Sequence, residues 1–285
     1  MSYITFSNLG ESGGMGSQLQ SYASLCAVAK ANNKTIVFSK DMLNKGFGIK
    51  VFKLLNIPCE IKPNSFFNNF KNKNINFHNT TYDETLFNLD SENYNLNSRF
   101  DLYTYWYNDI KEQIESWNYN DKIKDKALKE YNKIQNKLGN KPTVSIHMRR
   151  GDYLLPQHSF CELTQDYFLR AITNSFLPAV DYNFLVFSND IEYSKTIISG
   201  DNVWFVTPKG VDAQSFTSSE KEDLALLSLC DNHIISNSSY SWWGAFLSKN
   251  KNKKIICPTN YVEPNHPSSW INGKYYPPNW ININN

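Results

Sequence analysis

The run Ser145-Ile146-His147-Met148-Arg149-Arg150-Gly151-Asp152-Tyr153 places an imidazole, two guanidiniums and a carboxylate directly after a short apolar strand. Two adjacent arginines bring about ten N–H donors to one place, and their planar forks match phosphate and carboxylate oxygens. The chemistry this suggests is the binding of an anion. A second polar run, Asn237-Ser238-Ser239-Tyr240-Ser241, opens a helical pattern and offers amide, hydroxyl and backbone N–H groups, a ready anion cradle. With Arg149 and Arg150 facing it, a pyrophosphate is the natural occupant.

Each of these residues also has a plainer use. Arg150 with Asp152 reads as an ion pair that holds the loop in shape, which leaves Arg149 for the phosphate, and His147 reads equally as a core histidine bonded to backbone. Arg150-Gly151-Asp152 is the adhesion tripeptide, but adhesion needs an exposed loop tip, and here the flanks are an apolar strand and Tyr153-Leu154-Leu155. Asn79-Thr80-Thr81 and Asn237-Ser238-Ser239 fit the glycosylation sequon, yet no secretory signal precedes them, so they are expected to be unmodified. Trp242 and Trp243 read as packing. No Asp-x-Asp stands at a strand end and no His or Cys cluster has ligand spacing, Asn189-Asp190 being the nearest approach. No catalytic metal is therefore expected, and arginine has to supply the charge neutralisation. No GxSxG marks a nucleophile.

The elements that must position these groups are regular after Pro142. Strands are expected near 143–147, 183–187, 202–206, 232–236 and 254–257, with helices near 165–176, 190–199, 219–230 and 240–248 between them, the pattern of a parallel α/β half. In such a sheet ligands sit beyond the carboxyl ends of the strands. That singles out His147 to Asp152, Ser188-Asn189-Asp190, Thr207 to Asp212 and Asn237 to Ser241. At the N-terminus, a strand at Tyr3 to Phe6, a loop with Gly10, Gly13, Gly14 and Gly16, a helix through Leu19, Tyr22, Ala23, Cys26 and Ala27, and a strand Thr35 to Phe38 make a βαβ opening. Its glycines miss the GxGxxG register of dinucleotide sites. Residues 56–97, rich in Asn, Lys and Phe, read as loops and irregular helices, and Asp121 to Leu138 reads as an amphipathic helix closed by Gly139.

The bulk numbers bound the partners. The 285 residues suit two domains, and 29 basic against 27 acidic residues give a net charge of +2, with no global field that would draw nucleic acid. Five cysteines without CxxC pairing suit a reducing compartment. The sequence holds no run of 18 apolar residues, so the expected location is cytoplasmic, with peripheral association at the inner face of the membrane at most.

His147-Met148-Arg149-Arg150-Gly151-Asp152-Tyr153 resembles the HxRRGDY motif of the family 11 glycosyltransferases, the α-1,2-fucosyltransferases. Three further blocks agree in order and spacing: Val186 to Asp190, Asp223 to Cys230, and Ile234 to Ala245. Gly13-Gly14-Met15-Gly16-Ser17-Gln18 is similar to the family's GGLGNQ, with Ser17 where the family has Asn, and residues 45–130 carry no anchored resemblance.

The resemblance implies an α/β chain of GT-B type, two Rossmann-like domains facing each other across a cleft. Residues 1–140 would form the acceptor side and 141–285 the GDP-sugar side. It implies an inverting, metal-independent transfer of L-fucose from GDP-fucose to a galactoside 2-hydroxyl in a bacterial glycan or surface polysaccharide. Another GDP-sugar such as a heptose, or a non-catalytic sugar-nucleotide-binding protein, are the alternatives. The catalytic residues it points to are Arg149 and Asp152. Donor contacts fall to Gly14, Gly16, Gln18, His147, Arg149, Ser188, Asp223, Asn237, Ser238 and Ser239. Asp223 would take the paired guanine N–H donors and His147 the base or ribose. The general base stays open between a carboxylate such as Glu11 or Asp152 and no strong base at all.

Overall fold

The computed structural model describes the chain apart from residues 12, 47, 75–82, 98–99, 101, 156–159 and 207–219. The expected loop from Thr207 to Asp212 and the sequon at Asn79 lie outside the described residues. The chain separates into two compact units, Met1–Asn120 and Asp121–Asn285.

The first unit runs β1 (Ser2–Thr5), α1 (Met15–Ala31), β2 (Lys34–Phe38), α2 (Lys40–Asn44), α3 (Val51–Leu54), β3 (Glu60–Ile61), β4 (Lys71–Asn74), β5 (Tyr94–Asn97) and α4 (Tyr107–Glu115). Its sheet is parallel, in the order β3-β2-β1-β5-β4. Helix α1 is buried on nearly every side, including Gln18, Gln20, Ser21 and Ser24, as its run of small and apolar residues allows. The βαβ opening stands where the sequence places it. The stretch 56–97, expected to be loops, instead contributes three strands. The reason is visible in β4: its sequence Lys-Asn-Lys-Asn pairs through backbone on an exposed edge and buries almost nothing, so no apolar alternation marks it. In β5 only Leu96 is buried.

The second unit runs α5 (Asp121–Leu138), β6 (Thr143–Met148), α6 (Gln165–Ser175), β7 (Asn183–Ser188), α7 (Ile191–Ile197), β8 (Val203–Val206), α8 (Glu220–Leu229), β9 (Asn232–Ile234), α9 (Ser239–Leu247), β10 (Ile255–Pro258) and β11 (Ile281–Ile283). The six strands are all parallel, in the order β11-β10-β9-β6-β7-β8. Every residue of β6 and β7 is buried, as central strands covered on both faces must be. One face packs Val144, Ile146, Phe184 and Val186 against Tyr167, Phe168 and Ala171 of α6. The edge strand β11 is an addition to the expected set; with two of its three residues exposed it carries no pattern.

The division falls at Asn120/Asp121 rather than at 140. Helix α5 belongs with the second unit because its buried face, Ile123, Ala127 and Ile134, packs on α8. Polar contacts add to this: Tyr131 Oη and Thr143 Oγ1 are 3.1 Å apart, and Asn183 Nδ2 donates to Gln135 Oε1 at 2.9 Å. Gly139 follows α5 at φ +81°, the left-handed conformation expected of a residue closing a helix.

Candidate functional site

In chain order the second sheet reads 3-2-1-4-5-6, and the order reverses between β6 and β9. An open parallel sheet receives its ligand at that switch point, outside the carboxyl ends of the two strands. The groups there are His147 and Met148 at the end of β6 with Arg149 just after it, and Ile235 to Ser238 leading from β9 into α9.

The two arginines separate. Arg150 is 14% exposed and held on every side: Nη1 is 3.0 Å from Glu162 Oε1, Nε is 3.6 Å from Asp190 Oδ2, and the guanidinium lies 3.4 Å from the Tyr193 ring centroid. Its backbone N–H donates to Asn189 Oδ1 at 2.8 Å, and its carbonyl accepts from Asn189 Nδ2 at 3.0 Å. Arg150 therefore acts as the loop's brace. Arg149 is 29% exposed, with Nη2 2.6 Å from Asp152 Oδ1 and the guanidinium 5.2 Å from the Tyr153 ring centroid. Asp152 thus pairs with Arg149 and not, as one sequence reading had it, with Arg150; the turn at Gly151 carries Asp152 back over the strand end.

That turn depends on glycine. Gly151 has φ +63°, and a Cβ there would lie 2.6 Å from Asn189 Nδ2. Gly151→Ala is expected to lose about 2–3 kcal/mol of stability, the left-handed strain plus part of the Asn189 clamp, measured as the shift in urea midpoint at constant slope. A loss below about 0.5 kcal/mol would show that the turn is freely rebuilt.

Tyr153, which the sequence reading passed over, joins the two strand ends. Its ring stacks on Phe160 at 3.8 Å and 10°. Its hydroxyl, raised in pKa chiefly by burial, hydrogen-bonds the side chains of Ser238 and Tyr261. Ser238 is the N-cap of α9, its Oγ accepting from Tyr240 N at 3.3 Å. His147 is buried, its Nδ1 2.7 Å from Ser236 Oγ, and burial, then the charge of Arg149, lowers its pKa to about 3. It is a neutral ring at physiological pH. Ser236 was also missed, because between Ile235 and Asn237 it reads as the last residue of a strand.

Several other residues expected at the ligand have partners within the protein. Asn237 is buried and both N–H groups of its amide are taken, by Cys161 O at 2.8 Å and Tyr261 O at 2.9 Å, so its NH2 has no donor left for a phosphate. Ser188 Oγ donates to Met148 O at 2.8 Å and accepts from Asp190 N at 2.9 Å, tying β6 to the start of α7. In the first unit Gln18 donates to Gly13 O at 3.2 Å and Gly48 O at 3.1 Å and accepts from Lys50 N at 2.7 Å, which pins the glycine loop to the 48–50 turn. Gly14 is the N-cap of α1 and Gly16 lies buried in its first turn. Glu11 pairs with Lys45 at 3.2 Å. Asp223 stands in the first turn of α8, and Tyr240 Oη donates to Glu220 O at 2.9 Å, which fixes the start of α8 against the start of α9. Ser239 is the first residue of α9. Of the expected set, His147, Arg149, Ser238 and Ser239 stand around the switch point and Asp223 on the neighbouring helix, while Gln18, Ser188 and Asn237 carry the backbone partners just given.

The first unit has an opening of its own at the carboxyl ends of β1 and β2, a cavity of about 480 Å³ bordered by Ser7, Ser39, Asp41, Lys45, Asn64 and Phe67. Asn64 Nδ2 donates to Asp41 Oδ2 at its rim.

The family profile described as Glycosyl transferase family 11 matches residues 7–284. Two curated relatives from Escherichia coli align with part of the chain. The O-antigen biosynthesis glycosyltransferase WbnK is 32% identical over 141 residues, 47% of this chain and 45% of its own. An alpha-1,2-colitosyltransferase is 33% identical over 151 residues, 50% and 47% respectively. The chain thus spans about half the length of the curated relatives it matches. Among solved structures, NodZ alpha-1,6-fucosyltransferase co-crystallized with GDP is 12% identical with a TM-score of 0.54, over 87% of this chain and 93% of its own; NodZ comes from Bradyrhizobium. Arabidopsis thaliana FUT1 in complex with GDP is 10% identical with a TM-score of 0.56, over 92% and 72%. These likenesses show the fold, the GT-B class built from two Rossmann-like units.

Proposed function

Because this chain belongs to glycosyl transferase family 11, we propose that it moves a sugar from a GDP-sugar to a hydroxyl of a glycan, in the making of a bacterial surface polysaccharide. The observation that carries the reading is the arrangement at the β6/β9 switch point. An arginine with one face open, held by Asp152 and Tyr153, stands across from the capped start of a helix. Guanidinium and helix N–H groups are what a pyrophosphate requires. The finer assignment is L-fucose from GDP-fucose, transferred with inversion to a galactoside 2-hydroxyl. The colitosyltransferase among the relatives favours one second reading, a different sugar on the same nucleotide.

In an inverting transfer the acceptor oxygen attacks the anomeric carbon from the face opposite the leaving GDP, through a transition state of oxocarbenium character. Negative charge gathers on the β-phosphate. Here Arg149, with the N–H and hydroxyl groups of Ser238 and Ser239, stabilises it, so the reading requires no metal. Asp152 acts by aiming Arg149. The acceptor falls to the first unit, whose cavity joins a carboxylate, an amide and an aromatic ring, groups that suit a neutral, hydroxyl-rich sugar.

The test is GDP release from GDP-fucose and lactose with divalent metal chelated. Release that needs both substrates supports the proposal, and release with another GDP-sugar alone supports the second reading. Donor binding without release to any acceptor makes the protein a binding module. Asp223→Asn is expected to weaken GDP by about tenfold or more, since a carboxylate that accepts two N–H donors becomes an amide that matches only one, and to change turnover at saturating donor little. A calorimetric titration with unchanged GDP affinity would remove Asp223 from the site.

A further inference from the structure

The six parallel strands of the second unit all begin on one face, at the end opposite the switch point. The segments that enter them there are rich in lysine and hold no arginine. Lys137 and Lys141 precede β6, and Lys249, Lys251, Lys253 and Lys254 fill the turn before β10; the acids of the same face are Asp181, Asp201 and Asp231. Six lysines against three aspartates exceed the net +2 of the whole chain, so this face is basic on a molecule that is otherwise close to neutral. Between the lysines stands the segment that leads into β7. There Leu177 is 62% exposed and Val180 66%, the highest values among the large apolar side chains after Met1. Lysines bracket this segment on both sides. Lys254 Nζ donates to Ser175 O at 3.3 Å and lies 5.9 Å from the Phe176 ring centroid, and Lys141 Nζ donates to Val180 O at 2.6 Å. Lysine at a helix end is an ordinary complement to the terminal carbonyls, and Lys253, which donates to Phe246 O at 2.9 Å and Ser248 O at 2.5 Å, serves α9 in that way. The partners of the others set them apart. Carbonyls hold Lys141 and Lys254, and Lys137 lies 5.0 Å from the Trp204 ring centroid, so each ammonium is placed without its charge being cancelled. Lys126, Lys133 and Lys195 of the same unit instead pair with Glu222, Glu130 and Glu192. Lys251 is exposed on a turn that Asn250 shapes, its Oδ1 accepting from Asn252 N at 3.0 Å and its Nδ2 donating to Asp231 O at 2.9 Å.

We propose that this face docks on a membrane surface rich in anionic lipid, the lysines meeting headgroup phosphates while Leu177 and Val180 enter the apolar edge of the leaflet. The docking goes beyond the sugar-nucleotide reading and uses none of the donor residues. Charge complementarity selects an anionic partner, and the two aliphatic tips choose among such partners. A nucleic-acid surface recruits arginine forks to its phosphates and gains nothing from exposed leucine and valine. A bilayer takes up both features at once, and each lysine brought against an anionic leaflet multiplies partitioning by about fivefold. The same docking sets the donor site apart from the surface. The six residues of β6 carry the chain about 20 Å from this face to the switch point. That is more than twice the distance of about 8 Å over which physiological salt screens a charge, so the surface that holds the protein does not repel an anionic sugar nucleotide.

Co-sedimentation of the full chain with vesicles tests this, one set of phosphatidylcholine alone and one of phosphatidylcholine and phosphatidylglycerol in equal parts. Binding to the anionic vesicles is expected, falling as salt rises, with little binding to the neutral ones. Lys251→Gln/Lys254→Gln should weaken it about 10- to 30-fold and flatten its salt dependence. Leu177→Ser/Val180→Ser should weaken it about tenfold and keep the salt dependence, because insertion is lost and the charge stays. All four side chains are exposed, so thermal unfolding of both variants should match the parent. Lys122→Gln/Lys124→Gln, the same loss of charge at the other end of α5, should leave vesicle binding within about twofold of the parent. Equal binding to neutral and anionic vesicles, binding that either face variant leaves unchanged, or an equal loss in the α5 pair overturns the proposal. A DNA duplex held more tightly than the anionic vesicles in the same salt overturns it in favour of nucleic acid. A dimer in ultracentrifugation that Leu177→Ser/Val180→Ser disperses, with vesicles left unbound, overturns it in favour of a second copy of the chain. GDP affinity is measured on the same samples: its absence in the parent would end the donor reading and leave the vesicle result standing.

Discussion

Replacing Arg149 by alanine is expected to lower glycosyl transfer about 10²–10³-fold, the range for losing one preorganised donor to a developing oxyanion. The geometry behind this is specific to one of the two arginines. Arg150 is closed in by Glu162, Asp190, Tyr193 and Asn189, whereas Arg149 is held from one side only, by Asp152 at 2.6 Å and the face of Tyr153. A fork fixed at one edge keeps its remaining N–H groups aimed without a search for orientation. Arg149→Lys should recover little, because a single ammonium cannot hold Asp152 and a phosphate in the same plane. Asp152→Asn should lose less than Arg149→Ala, since it loosens the fork and leaves the charge. Thermal unfolding of Arg149→Ala should stay close to that of the parent, which separates a site effect from a folding effect. Near-normal turnover in Arg149→Ala would end its assignment to the phosphate, and a larger loss in Arg150→Ala at unchanged stability would transfer that role to Arg150.

The second large effect is on stability as pH falls. Burial holds both His147 and His233 near a pKa of about 3, against 6.5 for a free imidazole; a nearby arginine adds to the first and Lys253 to the second. Between those two values the unfolded chain binds protons that the folded chain refuses. Their contribution is therefore complete above about pH 6.5 and is lost progressively as pH falls toward 3. Each histidine contributes a slope that approaches about 1.4 kcal/mol per pH unit, and the pair loses about 2.4 kcal/mol in the window from pH 6 to 5, before most carboxylates titrate. Ser145→Ala/His233→Leu removes one titrating ring together with its hydroxyl partner and should halve that slope. Urea unfolding at pH 6.0, 5.5 and 5.0 measures it. An unchanged slope would mean that His233 protonates without unfolding the sheet.

How much of this was legible in the sequence differs between the units. In the second unit, strands such as Val144-Ser145-Ile146 and Phe184-Leu185-Val186 are buried on both faces and read as apolar runs, and α5 shows its helical period from end to end. In the first, β4 and β5 are held by backbone pairing and bury little beyond Leu96, so nothing in their side chains announced them. The site shows the same division. Arg149, Ser238 and Ser239 stand out in the sequence because charge and helix-capping chemistry are properties of residue type. Gln18, Ser188 and Asn237 read in the sequence as polar groups for a ligand, and the structure shows each hydrogen-bonded to backbone, a partner that residue type alone does not reveal.

The sequence by itself determined the α/β class, the strand ends that carry chemistry, and, through its motifs, membership of glycosyl transferase family 11. These follow from local pattern, which a linear string contains in full. The tertiary structure alone decided which arginine stays open, that Asp152 belongs to Arg149, that α5 sides with the second unit, and that Ser236 stands behind His147. Each of these is a contact between residues brought together by the crossing of parallel strands. Ser236 and His147 are 89 positions apart in the chain and 2.7 Å apart in space, and no spacing rule along the sequence encodes a distance set by the order of strands in a sheet.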